Sequence, residues 1–335
     1  MSPACGPDAE AVTRGLGFDC HDVSPVVSVR FPWDLADWTM PVLEALVVAG
    51  AVFALVHALR RYRAGDPVNL ALWGASLVYL FVTEPPLYFP EWFGLDRLYG
   101  FIFAHNRFTV QFMGDRLPLY IVAFYPAFSQ LAYEVVRSLG IFRRGALRGS
   151  VAVAFVCQVF YEVFDQIGPP LKWWAWNPGN AIVNHPALAT VPMTSMLLFA
   201  SVSMAAMTYL AVRLRGRAAF LLAGVLTPLA MVVAGLPASL FQGDFTAQAW
   251  ILGAELALVW LGGGWIVATQ RSPVDVSAFA RIYPAVYLGV LAVIWLASLP
   301  SHDVPIGSGL YALACFAAAG LVLAALHRAR RPAPV

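Results

Sequence analysis

Apolar residues gather along the chain in runs of about 20, the length a helix rising 1.5 Å per residue needs to cross a hydrocarbon core of roughly 30 Å. The runs lie at 41–59, 67–84, 117–138, 149–166, 191–212, 218–238, 247–268, 282–299 and 308–326. They predict an all-α, polytopic membrane bundle of nine spans, a single transmembrane domain over 41–331. Residues 1–40 precede it as a segment outside the membrane. Within that segment, Phe31-Pro32-Trp33-Asp34-Leu35-Ala36-Asp37-Trp38 sets two Trp among acids. This suits a short helix lying in the interface, or a plain aromatic anchor.

Composition agrees: 60% of the 335 residues are hydrophobic and 12% charged, against about a quarter charged in soluble domains. Charge adds a direction, because Lys and Arg collect in short cytoplasmic loops. With nine spans, Arg60, Arg61, Arg63, Arg137, Arg143, Arg144, Arg148, Arg213, Arg215, Arg217, Arg271, Arg281, Arg328, Arg330 and Arg331 fall on one side. The other holds only Arg14, Arg30, Arg97, Arg107, Arg116 and Lys172. The expected topology is a plasma-membrane protein with its N-terminus outside and its C-terminus in the cytoplasm. The net charge of +2 follows from this sidedness and carries no nucleic-acid signal. The preference for Arg over Lys, with much Ala, Gly and Val, suggests a GC-rich bacterium. Residues 1–40 lack the apolar core of a cleavable signal peptide. Cys5 and Cys20 would face the outside, where a disulfide is permitted, and both the bridge and two free thiols remain open. Cys157 and Cys315 sit in spans, where packing is their expected role.

The long connections, 1–40, 85–116 and 167–190, are all expected outside, so function is sought there. The last two share an order of features. Glu84 is followed by a Trp-containing stretch to Trp92, then His105-Asn106, then Leu117-Pro118 at a helix start. Glu162 is followed by Trp173, Trp174 and Trp176, then Asn184-His185, then Val191-Pro192 at a helix start. This predicts an internal repeat over 67–138 and 149–212, with spans 218–326 in support.

Ionisable groups inside a membrane cost at least about 2.5 kcal/mol each at its centre, so each is a functional candidate. They are Glu44, Glu84, Glu134, Glu162, Asp165 and Glu255. Glu134 stands one turn from Arg137, and a local ion pair is its expected role. Gln158, Glu162, Asp165 and Gln166 form one stripe on span 4, which must face protein or water. If Glu84 meets Glu162 and Asp165 across an outward-facing cavity, one of these carboxyls can serve as a general acid. Glu162 or Asp165 is the expected acid and Glu84 its partner. Trp92, Trp173, Trp174, Trp176, Tyr79, Gln158, Asn106, Asn184 and Glu255 are the expected substrate contacts. Each has a plain alternative in helix-to-helix hydrogen bonding, packing or interfacial anchoring, and a Trp face can also stabilise a cation. His105 and His185 are isolated rather than set at metal-ligand spacing, so no metal is expected. Without a Walker loop, nucleophile elbow or dinucleotide fingerprint, no cofactor is expected either. Oligomeric state is not legible.

The residues from Glu84 to Pro118 and from Glu162 to Pro192 resemble the membrane-embedded carotenoid hydratases and heterodimer-type lycopene cyclases. What is shared is an intramembrane Glu, an aromatic-rich loop and an apolar-Pro helix start. The Gly-Pro-Phe-Gly-like stretch that follows the Glu in the hydratases is absent, with only Gly168-Pro169-Pro170 nearby, and the cyclases' Pro-x-Glu-x-x-Phe is absent too. The resemblance implies acid catalysis on an isoprenoid double bond, giving a carbocation that is trapped by an alkene or by water. Two other classes compete: a proton-coupled transporter or lipid-binding protein built on the repeat, and a metal-dependent lipid hydrolase using His105, His185 and the acids.

Overall fold

The computed structural model describes residues 5–214, 216, 218–271 and 275–328. Arg215, Arg217, Arg330 and Arg331 of the basic face lie outside these. Among the described residues nine helices are long and apolar enough to cross a membrane. They are span 1 (Thr39–Arg63), span 2 (Val68–Tyr88), span 3 (Leu119–Ser138), span 4 (Ala146–Asp165), span 5 (Met193–Arg213), span 6 (Ala219–Ser239), span 7 (Phe245–Thr269), span 8 (Ala278–Ser298) and span 9 (Ile306–Arg328). The chain is an all-α, multi-pass membrane protein.

Spans 3 and 4 are the most buried and form the centre of the bundle. Span 3 packs on spans 1, 2, 4 and 8, while span 4 packs on spans 5, 7 and 9, and span 6 closes against spans 2 and 5. Aromatic rings fill the central seam: Phe124 stacks on Phe128 at 3.9 Å, and Tyr161 meets Phe124 edge-on at 5.0 Å. Small residues allow the closest approaches. A Cβ on Gly263 would lie 2.4 Å from Phe155, and one on Gly50 would lie 2.1 Å from Tyr283. Glu134 ties spans 1, 2, 3 and 8 together: it accepts from Arg137 at 2.7 and 2.9 Å, Asn69 at 2.9 Å and Ser277 at 2.8 Å, with His57 Nε2 at 3.1 Å.

Three features depart from the pattern of apolar runs. Span 2 continues beyond Glu84 through Pro85 and Pro86 to Tyr88. Spans 5 and 7 each contain a π-helical turn, at Leu198–Val202 and Val259–Gly263; such turns insert one residue and recur at functional sites. The interfacial helix expected over Phe31–Trp38 shrinks to one 3-10 turn at Pro32–Asp34. Asp37 is instead spent on the start of span 1, where its carboxylate accepts from the Thr39 N–H at 2.8 Å and hydroxyl at 2.5 Å.

The long connections gather at one end of the bundle. β1 (Val27–Val29), β3 (Val110–Phe112) and β4 (Leu117–Pro118) form one sheet. β2 (Phe103–His105) pairs antiparallel with β5 (Trp174–Trp176), setting His105 opposite Trp174. The short hairpin of β6 (Ala187–Leu188) and β7 (Val191–Pro192) enters span 5 much as β3 and β4 enter span 3. A helix, Pro7–Leu16, lies over β2 and β5. The Cys5–Cys20 disulfide closes the loop that contains it.

Candidate functional site

A cavity of about 600 Å³ opens inside the loop-rich half of the bundle, between spans 2, 3, 4, 5 and 6 and beneath the β2–β5 ladder. Its size lies within the range of small-molecule sites. Thr83, Glu84, Leu87 and Tyr88 of span 2 face it, with Tyr120, Ile121, Phe124 and Tyr125 of span 3 and Tyr161, Phe164 and Asp165 of span 4. Leu198 and Phe199 of span 5 and Met231, Val232, Gly235 and Leu236 of span 6 complete the apolar side, while Phe103, His105, Trp174 and Trp176 form the roof. Val232 and Leu236 are also exposed on the outer surface of the bundle. The cavity therefore borders the lipid-facing side at span 6.

Helix periodicity explains how the polar groups arrive. Residues four apart share a face, so carrying span 2 past its two prolines stacks Tyr88 one turn above Glu84. On span 4, which runs the same way, Tyr161 lies one turn below Asp165. Tyr125 donates a short hydrogen bond to Glu84. Asp165 Oδ2, Thr83 Oγ1 and Trp176 Nε1 are buried without hydrogen-bond partners among the described residues. All three residues line this cavity.

His105 carries the roof. Its Nε2 is 3.0 Å from the Tyr88 hydroxyl and its Nδ1 is 2.8 Å from the Tyr120 hydroxyl. Phe103 and Trp174 flank its ring at 5.3 and 6.2 Å between centroids. Burial lowers its pKa from 6.5 to about 3, which keeps the imidazole neutral. Beyond it lies a second cavity of about 660 Å³, lined by Phe18, the Cys5–Cys20 bridge, His21, Glu91, Trp92, Phe101, Asp115 and Arg116. Tyr88, Phe103 and His105 line both cavities and form the wall between them. Arg116 donates to the Tyr88 carbonyl at 2.6 Å and lies over the rings of Phe89 and Phe101.

The structure brings Glu84, Asp165, Trp174 and Trp176 to one cavity, with His105 in its roof, and places the other expected acid and substrate contacts elsewhere. Glu162 turns away into the seam with spans 5 and 9. There it accepts from Gln158 Nε2 at 3.1 Å and Gln166 Nε2 at 3.0 Å. Gln158 itself accepts from Ser201 and reaches Tyr311 at 3.3 Å. Tyr79 is enclosed between Met231 and Tyr125. Trp173 is fully buried and donates to Thr39 at 2.9 Å. Trp92 stacks on Phe89 at 4.0 Å and lines the second cavity. Asn106 clamps backbone, donating to the Leu16 and Lys172 carbonyls and accepting from the Arg107 N–H. Asn184 donates to the Asn177 carbonyl at 2.5 Å. Glu255 lines neither cavity.

His185 packs on Phe245 at 5.4 Å between centroids rather than joining His105. The group with metal-like spacing among the described residues is Cys5, Asp19, Cys20 and His21, and the disulfide occupies its two sulfurs. Tyr88, Tyr120, Tyr125 and Tyr161 are the functional candidates that sequence reasoning passed over. Tyr88 and Tyr161 had a signal, each standing one turn from a cavity acid, whereas Tyr120 and Tyr125 of span 3 had none. No family model, no curated protein and no solved structure matches this chain.

Proposed function

We propose that this chain is a cofactor-independent enzyme of the plasma membrane that protonates a carbon–carbon double bond of an isoprenoid-type lipid in the cavity under His105. The observation that carries the reading is that Asp165 and Glu84 both line one aromatic cavity that borders lipid at span 6. In the reaction, the carboxyl O–H breaks and a C–H bond forms with the alkene electrons, leaving a carbocation on the neighbouring carbon. Phe103, Phe124, Phe164, Trp174 and Trp176 line the cavity, and the face of an aromatic ring stabilises a cation of this kind. A second alkene captures it in a cyclisation that then loses a proton, or water captures it in a hydration. Asp165 is the proposed acid, and Glu84, held by Tyr125, its partner. The loop-rich end lies outside the cell and the arginine-rich end in the cytoplasm. Two observations support this orientation: the sidedness of the basic residues, and the Cys5–Cys20 bridge, since disulfides persist on the oxidising side of such a membrane.

The test is lipid and pigment profiling of a deletion strain complemented with wild type, Asp165→Asn, Glu84→Gln or Glu162→Gln. The expected result is a precursor that accumulates in the deletion and in the first two variants. Glu162→Gln, which lies off the cavity, should retain product wherever the protein accumulates normally. Identical profiles in deletion and wild type would refute the enzyme reading, and proton-coupled uptake by proteoliposomes would replace it with transport.

A further inference from the structure

The wall between the two cavities is built like a conductor. Phe103 seals it with carbon, whereas Tyr88 and His105 cross it with groups that both give and accept protons. His105 presents a different ring nitrogen to each of two tyrosine hydroxyls, at 3.0 and 2.8 Å. A neutral imidazole has one N–H and one lone pair, so one tyrosine must donate to the ring while the other accepts from it. The hydrogen bonds therefore run in a single sense through Tyr88, His105 and Tyr120. We propose that His105, held between Tyr88 and Tyr120, relays protons between the outer cavity and the acids of the membrane cavity. This rests on the reading of those acids as proton donors.

One transfer moves one proton and no electrons. In one concerted shift the Tyr88 hydroxyl takes a proton from the outer cavity as it gives its own to one ring nitrogen, the other nitrogen gives its proton to the Tyr120 hydroxyl, and that hydroxyl passes its own into the membrane cavity; reversal or reorientation of the ring and hydroxyls resets the chain. No group on the path needs to hold a charge between transfers, in keeping with a ring that burial keeps neutral. On the outer side the path starts among Glu91, Asp115, Arg116 and His21. Tyr88, which lines both cavities, is the outer end of the chain, and Tyr120, which lines only the membrane cavity with Asp165, is the inner end. A purely structural cross-link would need the two hydrogen bonds but not the second cavity on the far side of the ring.

The experiment reads exchange rather than turnover. The purified full chain in lipid nanodiscs is moved into D2O, and the carboxylic C=O infrared band is followed as its proton is replaced. The band is assigned by its loss in Glu84→Gln or Asp165→Asn. His105→Phe should slow its shift about tenfold or more while amide signals stay helical. Tyr120→Phe, which removes only one hydroxyl, should slow it too and guards against a folding defect in the first variant. Wild-type exchange rates in both folded variants would overturn the relay and leave the acid reading standing. A wild-type protein with no such carboxylic band would overturn the acid reading and the relay with it.

Discussion

Trp174 reaches the cavity roof because Gly168, in the turn after span 4, has no side chain. An added Cβ would lie 2.0 Å from Cη2, 2.1 Å from Cζ3 and 2.7 Å from Cζ2 of the indole. Carbon atoms rest at about 3.5–4.0 Å, so Gly168→Ala requires the ring to retreat by roughly 1.5 Å. Little around the ring can yield. Trp174 is paired through its strand to His105 and packed on Phe164 at 5.1 Å and Trp173 at 6.4 Å. The open direction is the cavity, so the substitution both strains the roof and narrows the site. Overpacking of this kind costs about 1–3 kcal/mol. Gly168 has no left-handed φ, so the loss is steric rather than conformational. Cys157 and Cys315 are buried and unpaired, which makes a thiol-reactive fluorogenic dye a built-in reporter of thermal unfolding. The control is Gly289→Ala, in the interior of span 8 with nothing within 4 Å of the new carbon. Gly168→Ala should melt clearly below wild type and Gly289→Ala should show no loss. Equal melting of the two variants would refute the seating of Trp174 on Gly168.

Glu134→Ala should be among the most destabilising single changes at the other end of the bundle. It leaves Arg137, Asn69, Ser277 and His57 without their common acceptor, and breaking a buried ion pair costs about 3–5 kcal/mol; the same dye assay reads it, and a wild-type melt would sink the account. A pH effect follows from His105, whose folded pKa of about 3 lies below its ordinary 6.5. The unfolded chain takes up this proton first, so the stabilisation is complete above about 6.5 and is lost as pH falls towards 3, by about 1.4 kcal/mol per pH unit. Tryptophan-fluorescence melts of wild type and His105→Gln should converge in slope over that window if another group dominates, and diverge if His105 does.

Much of the architecture was legible because lipid is a strict solvent. A run of about 20 apolar residues has few alternatives to a spanning helix, and all nine runs became one. Ends were less legible wherever a local rule was outweighed. Pro85 and Pro86 look like a stop after Glu84, yet the helix carries on to Tyr88, and the cavity's Tyr88 is lost if the span is ended early. Pro7–Leu16 had its own signals, with Pro7 at the first position, Asp8 and Glu10 in the first turn, and Gly17 at φ 96° after it; these are easily passed over beside apolar runs of twice the length. The π turns left no sequence mark. Of the site, the two acids and two of the tryptophans could be picked from residue type and depth. The pairing of His105 with Trp174 could not, because it depends on a strand contact between two loops nearly seventy residues apart.

The two acids of span 4 show what depth and type alone leave undecided. Glu162 and Asp165 are three residues apart, which on a helix of 3.6 residues per turn separates them by about 60°. That is close enough to read as one stripe, and wide enough for one side chain to enter a helix seam while the other enters a cavity. In the seam, both oxygens of Glu162 accept from glutamine amides that belong to its own helix. Each of its oxygens already has a donor, whereas the second acid has an oxygen with none. Asp165 Oδ2 has no such partner, and neither do Thr83 Oγ1 and Trp176 Nε1 across the same cavity. A buried polar atom left unpaired costs about 1–3 kcal/mol. Three on one cavity form a set that includes two donors and an acidic oxygen, and a substrate or water carrying polar atoms would satisfy them on binding. The distinction between the acids thus comes from what surrounds each carboxyl, and it assigns the proposed chemistry to Asp165 and Glu84 while leaving Glu162 to hold Gln158, which in turn bonds to Ser201 of span 5 and Tyr311 of span 9.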